Sequence, residues 1–376
     1  MNGASHHFPF VGRGTSAEIG KSRTIGPWRP DEYRDPVADE TAPGHPAGYF
    51  AGPDLVDAVN TALLLNKPLL LTGNPGTGKS DLAQRIAWEF DIGPVLRFEA
   101  QSLSEANDLF YRFDLVRHVA ASHTARPAAP GDAPNADPKA FISFGPLGKA
   151  ILRSNPHAVE HAGFWNKAFP KLDPPEKGER SVVLIDEIDK ASRDFPNDLL
   201  NAIERLEVPV REIPTRLYVT DDAALRPIIV ITCNLERELP DPFLRRCIYF
   251  HIPDPLEDVL RRIVLARVFP ESLGSNPPGW LSSRAKMPEL FEQMLGFFLE
   301  HRDQKKGALA YASGPAELID WSNAVRASLD PAAGQPPSGD IKQHEGIVRR
   351  SLGALAKHRD DRDVLLKALR LKYDFR

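Results

Sequence analysis

Residues 69–90 read LLLTGNPGTGKSDLAQRIAWEF, an aliphatic run and an amphipathic run joined by small, turn-forming residues. The joint satisfies G-x-x-x-x-G-K-[ST] in full: Gly73, then Asn74, Pro75, Gly76 and Thr77, then Gly78, Lys79 and Ser80. The pattern follows a predicted strand and opens a predicted helix, the setting that a phosphate-binding loop requires. Glycines let backbone N–H groups turn inward around a phosphate. The new helix points its positive end at the same place. Lys79 brings a charge for the β and γ phosphates, and Ser80 an oxygen for Mg²⁺. The plain alternative is a Gly-Pro turn between a strand and a helix.

Outward from this loop, the chain alternates strand and helix and then becomes helical. PLLLT, PVLRFEA, SVVLIDEID and RPIIVITCN read as four strands, the last two aliphatic throughout, as interior parallel strands are. GPDLVDAVNTALLLNKP carries a helical stripe of Leu55, Val56, Val59, Ala62 and Leu63 behind a candidate cap at Asp54. SDLAQRIAWEF and FPNDLLNAIERL are helical, and VPVREIPTRLYV is a short hairpin. From about residue 254 only helical spacing is seen. This order predicts an α/β domain over 49–253 and a smaller all-helical domain over 254–376, after an arm over 1–48 that is flexible unless tied down. A loop at about 119–140, rich in Ala and Pro, has almost nothing apolar to bury.

The 376 residues carry a net charge of -4, so a globally basic nucleic-acid binder is not expected. From 344 to 376 nine Lys or Arg face five acids, which reads as a solvated helix face. Two cysteines, Cys233 and Cys247, are too few for a disulfide framework. With no membrane-length apolar window and no apolar signal core, the expectation is a cytoplasmic protein without a membrane association. His6 and His7 are too few for a metal site.

Three further elements carry chemistry. VVLIDEID ends in Asp186, placed to hold Mg²⁺ with Ser80, and Glu187, placed to polarise an attacking water. Asn234, after IIVIT, could orient that water or simply form a turn. LPDPFLRRC offers Arg245 and Arg246 after a short helix, either as cations for a neighbour's γ-phosphate or as dipole-favoured basic residues.

With these four elements in order, the chain resembles the AAA+ ATPases over roughly 48–325, and within them the MoxR-like group. GNPGTGKS resembles the Walker A loop, VVLIDEID the Walker B strand, IVITCN the sensor 1 strand and LPDPFLRRC the arginine-finger segment, with Arg246 ahead of Arg245. FISFGPLGKAIL resembles the segment before Walker B in MoxR-like proteins, and the interval of over 100 residues between Lys79 and Asp186 leaves room for that group's inserted hairpin. LIDEIDKASRDFPNDLLNAIE and ELPDPFLRRC are similar to MoxR-like ATPases that work with von Willebrand factor A domain proteins, such as those maturing carbon monoxide dehydrogenase. The resemblance implies ATP and Mg²⁺ as ligands and a ring of six subunits. It also implies a client protein and a von Willebrand A partner. It departs at SGPAELIDW, where Pro315 stands in place of the sensor 2 arginine. Either another cation, Lys305, Lys306 or Arg326, contacts the γ-phosphate in its place, or nucleotide sensing through the helical domain is weak. Tyr49 and Phe50 would line an adenine pocket or pack plainly; Phe110, Tyr111 and Phe113 would grip a client or form the core of the insert.

Overall fold

The computed structural model describes residues 10–13, 45–124, 136–161, 163–170, 172–269, 287–302, 309–311, 313–329 and 339–376. In chain order its strands are β1 (Leu69–Thr72), β2 (Leu96–Glu99), β3 (Tyr111–Phe113), β4 (Ile142–Phe144), β5 (Val182–Asp186), β6 (Glu207–Val210), β7 (Thr215–Tyr218), β8 (Ile228–Cys233) and β9 (Ile248–His251). Five of them form one sheet in the order β2-β5-β8-β1-β9, every pair parallel. This is the predicted α/β P-loop core, with one addition. The sequence reading found four of these strands and missed β9. IYFH alternates between half-buried and exposed residues at the sheet's edge, which hides it from a search for aliphatic runs.

The alternation of side chains sorts the core into two layers. Leu70, Phe98, Val183, Ile185, Ile229 and Ile231 face the helices Pro146–Ser154 and Phe195–Arg205 and both hairpins. Leu69, Leu71, Val182, Leu184, Ile228 and Val230 face the helices Pro53–Leu65 and Lys79–Glu89. Gly52, with Pro53 in the first turn, caps the Pro53–Leu65 helix, so Asp54 lies inside its first turn and is not the cap. The β3-β4 hairpin is the expected insert, and β6-β7 is the expected hairpin before β8. Phe110 and Tyr111 are core residues of the insert, each 1% exposed. Arg211 N donates to Tyr111 Oη at 3.0 Å and ties one hairpin to the other. The expected loop at 119–140 starts later than the sequence suggested, because the helix Leu115–Thr124 runs through its first residues. Residues 125–135 lie outside the described residues.

Parts of the segment read as an arm are built into the core. Phe10 is buried against Phe90. Asn60, itself buried, donates to Phe10 O and accepts from Phe10 N, both at 3.0 Å. The Glu89 carboxylate accepts from Val11 N and Gly12 N and pairs with the buried Arg85 at 3.0 Å. The sequence missed this seat because it is written in one phenylalanine and in backbone groups, which leave no periodicity. The helices Glu257–Val268, Glu289–His301, Pro315–Ser328, Glu345–Ser351 and Arg359–Tyr373 enclose a separate core around Trp321, Phe297 and Leu365. Among the described residues, no helix is long and apolar enough to cross a membrane.

Candidate nucleotide site

β1, β5 and β8 are neighbours and parallel, so their carboxyl ends bring Gly73, Asp186 and Asn234 to one edge of the sheet. The loop after β1 is tight: Gly73 has φ 146°, and a Cβ there would lie 2.6 Å from the Ile252 carbonyl oxygen. Gly78, with φ 82°, turns the chain into the Lys79–Glu89 helix. Lys79 is buried, and its ammonium donates to Gly73 O at 2.7 Å and Asn74 O at 2.9 Å. Burial pushes its pKa down, and Asp189, Cys233, Asp186 and Glu187 draw it partly back. Thr77 Oγ1 closes the loop on Asn74 O at 2.8 Å, and Asn74 Nδ2 donates to Asp254 at 3.0 Å. Pro75 O lies 3.2 Å from where a Cβ on Gly314 would sit, and Gly76 meets Ala316, so the C-terminal helical region, which forms a lid, rests on the loop.

Asp186 is 3% exposed. Its Oδ1 accepts from Ser80 Oγ at 2.7 Å and Thr232 Oγ1 at 2.6 Å; its Oδ2 accepts from Arg97 Nη2 at 2.7 Å. The Thr232 hydroxyl also accepts from Glu187 N at 2.8 Å. Glu187 sits at φ 56°, in the left-handed region. Asn234 Nδ2 donates to its Oε1 at 3.1 Å, and Lys190 donates to its Oε2. Asp189 in turn accepts from Asn234 N at 3.0 Å and Glu236 N at 2.9 Å, holding the turn after β8 in place. Thr232, Asp189 and Arg97 were not singled out from the sequence. The first two left a signal, a hydroxyl inside an aliphatic strand and a third acid two residues beyond Glu187.

A hydroxyl and one carboxylate, both hard oxygen donors, suit Mg²⁺, which takes few protein ligands and the rest from phosphate and water. No group of three or more His, Cys, Asp or Glu able to hold a metal occurs among the described residues. Next to the loop lies a cavity of about 400 Å³ between core and lid, lined by Tyr49, Phe50, Val259, Ile263, Pro315 and Ile319. Tyr49 and Phe50 thus meet the cavity wall, with Tyr49 itself largely buried. Arg267 from the lid pairs with Asp81 of the loop helix at 2.8 Å across this cavity. Pro315 opens the Pro315–Ser328 helix. Arg326 lies over the Phe269 ring at 4.9 Å, within the lid; Lys305 and Lys306 lie outside the described residues.

Arg245 and Arg246 stand apart from this constellation. They line a second cavity, about 550 Å³, with Lys67 and Pro68, which precede β1. The loop follows the other end of β1, and a four-residue strand spans about 13 Å. Arg246 Nε pairs with Glu204 at 3.0 Å.

Residues 68–247 match the family described as AAA domain (dynein-related subfamily). No curated protein matches the sequence. Among solved structures, the chain is similar to the RuvB Holliday junction branch migration motor of Thermotoga maritima, at 16% identity and a TM-score of 0.39, over 85% of this chain and 75% of that one. A mutant form of the same protein gives 15% and 0.42, over 87% and 79%. Likenesses this distant do not bear on activity. With the loop, the acids and the strand order, the α/β core of this chain has the P-loop AAA+ fold, and its segment 68–247 is similar to the dynein-related AAA domains.

Proposed function

We propose that the protein is a Mg²⁺-dependent ATPase that works as a ring and remodels a client protein. The observation that carries this reading is the split of the machinery. Lys79, Ser80, Asp186, Glu187 and Asn234 meet at one end of β1, and Arg245 and Arg246 lie at the other. Arginines set at the far end of β1 from their own loop suit a neighbour's nucleotide. In this reading a second copy supplies them, which makes assembly a condition for catalysis.

In this scheme the loop amides of Gly73 to Ser80 and the Lys79 ammonium hold the phosphates. Ser80 and Asp186 hold Mg²⁺, which when bound neutralises charge on the transferring phosphoryl group. Glu187 takes a proton from water, and Asn234 fixes the carboxylate that does so. Arg246, with Arg245 second, acts in trans on the charge that develops in the transition state. Movement of the lid against the loop, where Ala316 and Gly76 meet, passes the nucleotide state to the helical domain. The finer reading is MoxR-like: six subunits, a von Willebrand A domain partner and a client, supported by the two hairpins in their expected places.

A second reading, an ATP-driven assembly switch with slow hydrolysis, is favoured by Pro315 and by Lys190 occupying the Glu187 carboxylate. Steady-state ATPase against protein concentration, with mass by light scattering in the same samples, separates the two. Turnover that climbs as the ring forms supports the ATPase. ATP-driven assembly with negligible turnover supports the switch.

A further inference from the structure

The carboxylate of Asp186 is saturated in a particular way. Oδ1 is taken by two hydroxyls, Ser80 and Thr232, and Oδ2 by the guanidinium of Arg97 at 2.7 Å. A carboxylate this deeply buried needs a compensating charge, which hydroxyls do not supply; the Lys79 ammonium acts on it only through space, with its hydrogen bonds on Gly73 O and Asn74 O, whereas Arg97 touches it directly. Among the described residues Arg97 is its one ion-pair partner. Arg97 comes from the edge strand β2, where it registers with Leu184, and its side chain reaches along the sheet to Asp186 two residues further on. The two partners differ in exposure: the Arg97 side chain is 54% exposed and that of Asp186 4%. The anion is fixed in the wall of the site, whereas the cation reaches it from the solvent side and has water to return to. Arg97 forms no other ion pair among the described residues.

Mg²⁺ held by Ser80 and Asp186 would place two positive charges beside that guanidinium. Like charges on one carboxylate repel, and the mobile one yields.

We propose that Arg97 is a resident stand-in for the metal: it neutralises Asp186 in the metal-free site, releases it when the Mg²⁺-nucleotide enters, and so sets how much Mg²⁺ this chain requires. Arg97 is a positioning residue in this role, acting through Asp186. The inference rests on the reading of Ser80 and Asp186 as the metal pair.

The test is a Mg²⁺ titration of binding of a fluorescent ATP analogue to the full chain, native, R97Q and R97K, with unfolding curves to show that each variant is folded. Removing the competitor lowers the half-saturating Mg²⁺ of R97Q by about threefold to tenfold, the scale of a half-exposed pair on a buried partner. R97K, which keeps the charge, stays near the native value; a purely structural Arg97 would shift the unfolding curve and leave the Mg²⁺ dependence where it was. An unchanged or raised half-saturation in folded R97Q, when the native chain does respond to Mg²⁺, overturns the inference alone. Native binding that ignores Mg²⁺ altogether overturns the metal reading and this inference with it.

Discussion

The side-chain amide of Asn234 donates to Glu187 at 3.1 Å, from the end of β8 to the end of β5. Because Asn234 is anchored by its own N–H on Asp189, the carboxylate is aimed by a part of the sheet and not by a free loop. Glu187→Gln should keep this contact and nucleotide binding but lower turnover about 10²- to 10⁴-fold, the usual worth of a positioned acid or base. Steady-state ATPase beside equilibrium binding checks it. A Gln variant with native turnover removes Glu187 from the base role.

Lys79 spends its hydrogen bonds on the carbonyls of its own loop, Gly73 and Asn74. Lys79→Ala should therefore leave the fold intact and abolish binding of a fluorescent ATP analogue, or nearly so. Undiminished affinity in the folded variant would refute the loop's assignment.

Arg246 lies with Lys67 at the start of β1, far from the loop that follows that strand. Arg246→Ala should reduce turnover about 10³- to 10⁵-fold at concentrations where the ring is complete. ATP affinity should be unaffected. Mixing it with Glu187→Gln subunits should restore part of the activity, since each supplies what the other lacks. Turnover in a strictly monomeric sample equal to that of the ring would place the finger in cis and contradict the split site.

Glu89 accepts the backbone N–H of Gly12 at 3.0 Å and balances Arg85, both side chains fully enclosed. Glu89→Ala leaves that guanidinium buried without its acid and should lower stability by about 3–5 kcal/mol. Asn60→Ala, which strips two hydrogen bonds from Phe10, should lower it by about 1–3 kcal/mol. Urea unfolding midpoints measure both. If neither variant moves the midpoint, residues 10–12 contribute nothing to the core.

Burial pushes the Cys233 thiol up to about 11 and the Cys247 thiol up to about 12. Both groups stay protonated at pH 8, where an unperturbed cysteine, near 8.5, is already part thiolate. Iodoacetamide at pH 8 should label the native chain slowly and the urea-unfolded chain fast. Quick labelling of either site in the folded protein would show that it opens to water.

What was legible in the sequence was what chemistry forces to be local. Gly73 to Ser80 must be contiguous to wrap a phosphate, and Asp186 and Glu187 must follow an aliphatic strand to stand at its end. Asn234 could be placed only with the others in hand, since an Asn after a strand is common in turns. Arg97 could not be read at all: it sits in VLRFEA as an ordinary exposed strand residue, and its meaning comes from β2 pairing with β5. Asp54 has a side chain that suits a cap, yet Pro53 begins the helix a residue earlier. Phe10 lies 50 positions from the Asn60 that holds it, a separation no local pattern records.

The joint between the two hairpins has a consequence for how this sequence drifts over generations. Tyr111 contributes its hydroxyl, but Arg211 contributes only its backbone N–H, and its own side chain is exposed. Descendants should therefore change position 211 freely, with proline barred because it lacks the donor. Position 111 should resist change, since even phenylalanine would fill the space and leave that N–H without its acceptor. One contact thus imposes two unequal rates of substitution, and a set of natural variants would display them side by side.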